Sequence, residues 1–112
     1  GQFEAARQEL VKALEAQPGH PQALHLLGLC LLKLDLIEDG ALALEAALQA
    51  NPNNVEAAYT LATAYIGIGE IEKAEALLEG ALRGQHSAEV YLVRGSLLNA
   101  KRNAKDAIQE LI

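Results

Sequence analysis

The chain has 112 residues, nine basic and fifteen acidic side chains, and a formal net charge of −6. That surplus of carboxylates argues against nucleic acid and anionic membrane as partners, and no apolar run is long enough to insert as a membrane helix. Hydrophobic residues make up 51% but aromatics only 4%, so the predicted core is leucine and alanine, which suits closely packed helices better than a sandwich of sheets.

Residues 2–16 form the first predicted helix, with Phe3, Ala6, Leu10, Ala13 and Leu14 as its apolar stripe. Pro21 opens a second over 21–34, striped by Leu24, Leu27, Gly28 and Leu31 at i, i+3, i+4 and i+7. A third, over 37–50, carries Ile37, Gly40, Ala41, Leu44, Ala47 and Leu48, and Pro52 among asparagines ends it. Further helices are expected over 54–67, 70–83, 88–100 and 103–112, seven in all and antiparallel in sequence.

These elements repeat. Ala13-Leu14, Ala47-Leu48 and Ala81-Leu82 recur at steps of 34, as do Leu10, Leu44 and Leu78, and Phe3, Ile37 and Ile71. The step then shortens to 33, giving Gly28, Ala62, Gly95 and Gly40, Ala74, Ala107, with one residue lost near Gln85-His86. A fixed period of this size marks stacked supersecondary units rather than one closed core. The units divide as 1–20 (a second helix only), 21–54, 55–87 and an incomplete 88–112. Small residues at both positions of the pairs Gly28/Gly40, Ala62/Ala74 and Gly95/Ala107 predict a close approach of the two helices in each unit.

On those residues the unit resembles the tetratricopeptide repeat. One copy reads Leu24, Leu27, Gly28, Leu31, Asp35, Ile37, Gly40, Leu44, Ala47, Pro52; the next reads Ala58, Leu61, Ala62, Tyr65, Gly69, Ile71, Ala74, Leu78, Ala81; the last reads Tyr91, Arg94, Gly95, Leu98, Arg102, Ala104, Ala107, Leu111. The chain departs from the family in lacking Trp and the third proline, and in placing Arg94 where leucine is usual. The resemblance implies an all-α, right-handed superhelix of antiparallel helix pairs that binds a peptide or partner protein in its concave groove. It implies that Gln22, His25, Leu26, Leu29 and Leu32 point into that groove, followed by Glu56, Tyr59, Thr60, Thr63 and Ile66, then Glu89, Leu92, Val93, Ser96 and Asn99. His25, Leu26, Leu29, Tyr59, Thr60, Thr63, Leu92 and Ser96 are the candidate contacts. Glu56 and Glu89 favour a ligand with basic residues. The lysine and asparagine with which some members hold a C-terminal carboxylate are absent, His25, Leu29 and Glu56 standing there instead.

A second candidate surface is the apolar cluster Leu34, Leu36 and Leu42, where the family places polar residues and where later copies have Ile68, Glu70, Ala76 and then Lys101, Asn103, Gln109. It reads either as extra packing in the turn or as a patch for a partner. Glu70, Glu72, Glu75 and Glu79 read as a solvated outer face. The alternatives to a binding scaffold are a structural module that self-associates through exposed terminal helices, Phe3 and Leu10 at one end and Ile108 and Leu111 at the other, or a repeat region attached to an enzyme domain elsewhere.

Chemistry is hard to place. Cys30 is the single cysteine, on an inner helix at the position of Ala64 and Leu97, and reads as a packed thiol rather than a nucleophile. His20, His25 and His86 have no metal-ligand spacing, Ser87 and Ser96 have no paired base, and Gly67-Ile68-Gly69 lacks both a preceding strand and the third glycine of a dinucleotide loop. No enzyme activity, metal or cofactor is expected. With no signal-like segment, a cytoplasmic location is favoured, although the chain begins with Gly1 and reads as a piece of a longer protein whose targeting signal lies outside it.

Overall fold

Pro21 and Pro52 punctuate the chain where helices must stop and restart. The computed structural model describes residues 1–111, without the side chains of Ala107, Glu110 and Leu111; the expectations placed on Ala107, on Leu111 and on Ile112 lie outside the described residues. Six helices follow in order: α1 (Gln2–Ala16), α2 (Pro21–Lys33), α3 (Ile37–Ala50), α4 (Val55–Gly67), α5 (Ile71–Glu79) and α6 (Ala88–Leu111). There is no strand among the described residues. Successive helices pack in pairs, α1 on α2, α2 on α3, α3 on α4 and α4 on α5, and α6 packs on both α4 and α5. The result is an elongated stack of 52 × 31 × 20 Å.

The starts of α2, α4 and α6 each have a local cause. The Nδ1 of His20 accepts from the Ala23 amide at 3.1 Å, with Pro21 in the first turn where its missing N–H costs nothing. The Oδ1 of Asn54 accepts from the Ala57 amide at 3.0 Å to cap α4, and the Ser87 hydroxyl accepts from the Val90 amide at 3.3 Å to cap α6. Between α2 and α3 Asp35 takes φ 64, and between α4 and α5 Gly69 takes φ 81. These equivalent residues reverse the chain in the left-handed region.

The core is leucine and alanine, as the composition predicts. Leu44 and Leu61, with Ala41, Ala57, Ala64, Tyr65, Ala74 and Leu97, form one buried cluster; Ala58, Ala62, Leu82, Val90 and Val93 form a second beside it. Removing a leucine such as Leu44 from water stabilises the fold by about 1.5–3 kcal/mol. α1 buries no residue fully, and Phe3 and Val11 on it stay exposed.

Two expectations are corrected. The helix expected over 70–83 ends at Glu79, because Gly80 leaves helical geometry at φ −106, ψ −99 and residues 80–84 form turns. Leu82 is nonetheless fully buried, its amide bonded to the Leu77 carbonyl at 2.8 Å. The break expected between 100 and 103 is absent: α6 runs unbroken, and Arg102, which stands in the register of Asp35 and Gly69, is helical. Nothing in Lys101-Arg102-Asn103 stops a helix as glycine or proline would. Lys101 also bonds Glu75 on α5 at 2.6 Å, which ties the continuing helix to its neighbour.

Candidate functional site

The inner helices α2, α4 and α6 present the predicted groove residues in three different states. Leu26 is exposed, Leu29 is half-buried, and His25 is only 5% exposed. His25 is therefore a packing residue: Asn54 Nδ2 donates to its Nδ1 at 3.3 Å, which joins α2 to the start of α4, and its Nε2 is buried without a partner among the described residues. A buried imidazole of this kind has no face to offer a ligand. On α4, Tyr59 and Thr60 are half-buried and Thr63 is exposed, its hydroxyl donating to the Tyr59 carbonyl at 2.9 Å. On α6, Leu92 and Ser96 are exposed, while Val93 is turned into the core.

Electrostatics connect two of these helices. Burial pushes the Tyr59 hydroxyl above its ordinary pKa, and the negative charges of Glu56 on α4 and Glu89 on α6 push it the same way. The charges of Glu56 and Glu89, on adjacent repeats, thus place Tyr59 in a negative local field. Leu92 and Ser96 share an open depression with Tyr91, Gly95, Leu98 and Arg102, the Arg102 side of which continues along α6. Arg94 lies 5.7 Å from the Tyr91 ring centroid, a cation–π contact at the surface.

The second candidate surface lies at the turn edge. Leu34 is half-buried, Leu36 is 43% exposed and Leu42 is 63% exposed. Around Leu36 stand Asp35, Glu38, Asp39 and Ile68; around Leu42 stand Glu38, Glu45, Tyr65, Ile68, Glu70 and Lys73. The two depressions share Glu38 and Ile68 and so form one surface. Beneath it Tyr65 is buried, with its hydroxyl pKa pushed up to about 12, first by burial and then by the neighbouring carboxylates of Glu45 and Glu70. The Lys73 ammonium stands 5.6 Å from the centre of the Tyr65 ring. Sequence reasoning did not anticipate the Tyr65–Glu45–Lys73 group, since Glu45 and Lys73 look like ordinary solvated charges on their helices. Glu75, read as part of a solvated face, is the partner of Lys101.

The remaining chemical candidates have local roles. His20 caps α2, and the His86 Nδ1 lies 3.4 Å from the Tyr91 hydroxyl. Cys30 is half-buried and free. Among the described residues, no group of three or more His, Cys, Asp or Glu is placed to hold a metal, and no helix is long and apolar enough to cross a membrane.

Consecutive helices packed as stacked hairpins define a repeat-built helical scaffold. Two family models described as tetratricopeptide repeat match the chain, one over residues 37–97 and one over residues 1–55. The chain belongs to the tetratricopeptide repeat family, whose general role is protein–protein interaction. No curated protein matches it significantly.

Proposed function

We propose that the chain holds an extended segment of a partner protein along the inner face of α2, α4 and α6, and performs no chemistry on it. The observation that carries this reading is Tyr59, half-buried on α4 within the negative field of Glu56 and Glu89. Leu26 and Leu92 are exposed on the helices to either side of it. Tyrosine is a favoured anchor because its ring buries a large area while its hydroxyl stays bonded. Thr60, Thr63 and Ser96 add hydroxyls that can accept from a backbone, and Leu29 supplies further apolar contact. A ligand that alternates apolar and basic residues matches this mixture, and its attraction to Glu56 and Glu89 speeds association at low salt.

A phage-displayed library of such peptides supplies the probe. The selected peptide is titrated calorimetrically into the unmodified chain and into Tyr59→Ala and Leu29→Ala. A hot-spot loss of about 2 kcal/mol corresponds to roughly thirtyfold weaker binding. Variants that stay folded and bind equally well would exclude this face.

A further inference from the structure

Two surfaces of the molecule, on either side of the α4–α5 turn, are opposite in charge and match. The turn-edge surface holds exposed Leu36 and Leu42 within five carboxylates, those of Asp35, Glu38, Asp39, Glu45 and Glu70. Its one cation, Lys73, is drawn against the Tyr65 ring. Exposed leucine ringed by carboxylates is a poor fit for water alone and a good fit for an apolar side chain flanked by cations.

The unbroken α6 supplies such a side chain. Three of the chain's nine basic residues, Lys101, Arg102 and Lys105, fall within five positions of its second half. Arg102, Lys105 and Ile108 are spaced three apart along one side of the helix, all are exposed, and Ile108 is 61% exposed. Asp106 is the only acid between 101 and 108. In a chain of net charge −6 this segment is a local reversal of sign. The break that would have folded it back along its own repeat is missing, so α6 continues past residue 100, tied to α5 by Lys101 and with Lys105 and Ile108 bordering Gly69, Ile71 and Glu72.

We infer that the occupant of the Leu36/Leu42 surface is the Arg102–Ile108 side of α6 from a second copy of this chain. Ile108 packs on Leu36 and Leu42, and Arg102 and Lys105 meet the surrounding carboxylates. Because the two surfaces are different, the contact is head to tail: each docked copy leaves one acidic and one basic surface unfilled and admits further copies. This does not rest on the groove, whose residues it does not use.

The test uses two charge-reversed variants, each followed by light scattering from about 10 μM to about 1 mM after circular dichroism has shown it folded. Glu38→Lys with Asp39→Lys removes the acidic surface; Arg102→Glu with Lys105→Glu removes the basic one. All four side chains are exposed. The unmodified chain is expected to rise in mean mass above its 11.9 kDa, and each variant alone to stay at that mass. Mixed in equal amounts, the two variants pair intact acidic with intact basic surface and reversed with reversed, so association above the single-chain mass should return. Leu42→Ala, which leaves every charge in place, should weaken the unmodified association about tenfold, and Tyr59→Ala should leave it unchanged. A constant single-chain mass at 1 mM, association that survives both reversals, or a mixture that stays single-chain would each overturn the proposal; the second result would move the contact to another surface, such as the Phe3/Val11 end of α1.

Discussion

Gly28 and Gly40 face each other across the α2–α3 hairpin with no room for a methyl group on either. A Cβ on Gly28 would lie 2.6 Å from Leu44 Cγ and 3.3 Å from the Gly40 carbonyl oxygen; one on Gly40 would lie 2.8 Å from Leu32 Cδ2 and 3.1 Å from the Gly28 carbonyl oxygen. The two obstacles differ in compliance. Leu44 is fully buried and has nowhere to go, whereas Leu32 is half-buried and can swing aside. Overpacking costs about 1–3 kcal/mol, against a helix-propensity gain of about 1 kcal/mol for alanine over glycine. Gly28→Ala is therefore expected to destabilise by about 1–2 kcal/mol in urea denaturation, and Gly40→Ala by less. Equal and negligible effects would show that the hairpin relaxes freely.

Gly95 occupies the same register on α6, yet nothing stands within 4 Å of a Cβ placed there. Its neighbours Tyr91 and Leu98 are exposed as well. A glycine inside a helix with open space around it only lowers helix stability. Gly95→Ala is expected to stabilise the chain by about 0.5–1 kcal/mol, opposite in sign to Gly28→Ala. A loss of stability instead would mean that another helix covers this face in solution.

Asn54 works on two repeats at once. Its Oδ1 caps α4 through the Ala57 amide, and its Nδ2 donates to buried His25 on α2. Loss of a cap costs about 1 kcal/mol, and a buried acceptor left without a donor costs about 1–3 kcal/mol more. Asn54→Ala should thus destabilise by about 2 kcal/mol or more. Asn54→Ser keeps a good cap but is too short for His25, so it should recover only the cap's share. If serine restored full stability, the His25 contact would be energetically idle.

Much of this architecture was legible because it is periodic. The bounds of α1 and α3 fall where the stripes ending at Leu14 and Leu48 place them, and α2 and α4 differ from expectation by one residue. The errors fall where the repeat itself degrades. Gly80 unwinds the end of α5, although the register of Leu78, Ala81 and Leu82 continues through it. At Arg102 the repeat demands a turn, but local helix preference and the Lys101–Glu75 bond carry α6 onward. His25 shows the limit for the site. Sequence register places it on the inner helix, but its depth is set by Asn54, 29 residues away.

Tyr65 makes the stability of the chain sensitive to alkaline pH. Its hydroxyl pKa is pushed up to about 12 in the folded chain, first by burial and then by the neighbouring carboxylates of Glu45 and Glu70. An unfolded tyrosine titrates near 10. Between these values the unfolded chain gives up the phenolic proton while the folded chain keeps it, so the unfolded state binds fewer protons and stability falls as pH rises. The stabilisation is complete below about pH 10 and is lost progressively toward pH 12, where the folded group also ionises. Lysines and the other tyrosines titrate in the same range, so the signature lies in a comparison. Tyr65→Phe removes the ionisable group while keeping the ring that packs in the core and beside Lys73. In urea denaturation from pH 9 to 12, the unmodified chain should lose stability more steeply than Tyr65→Phe, and the two curves should converge with rising pH. Parallel curves across that range would show that the Tyr65 hydroxyl is not held neutral by the fold.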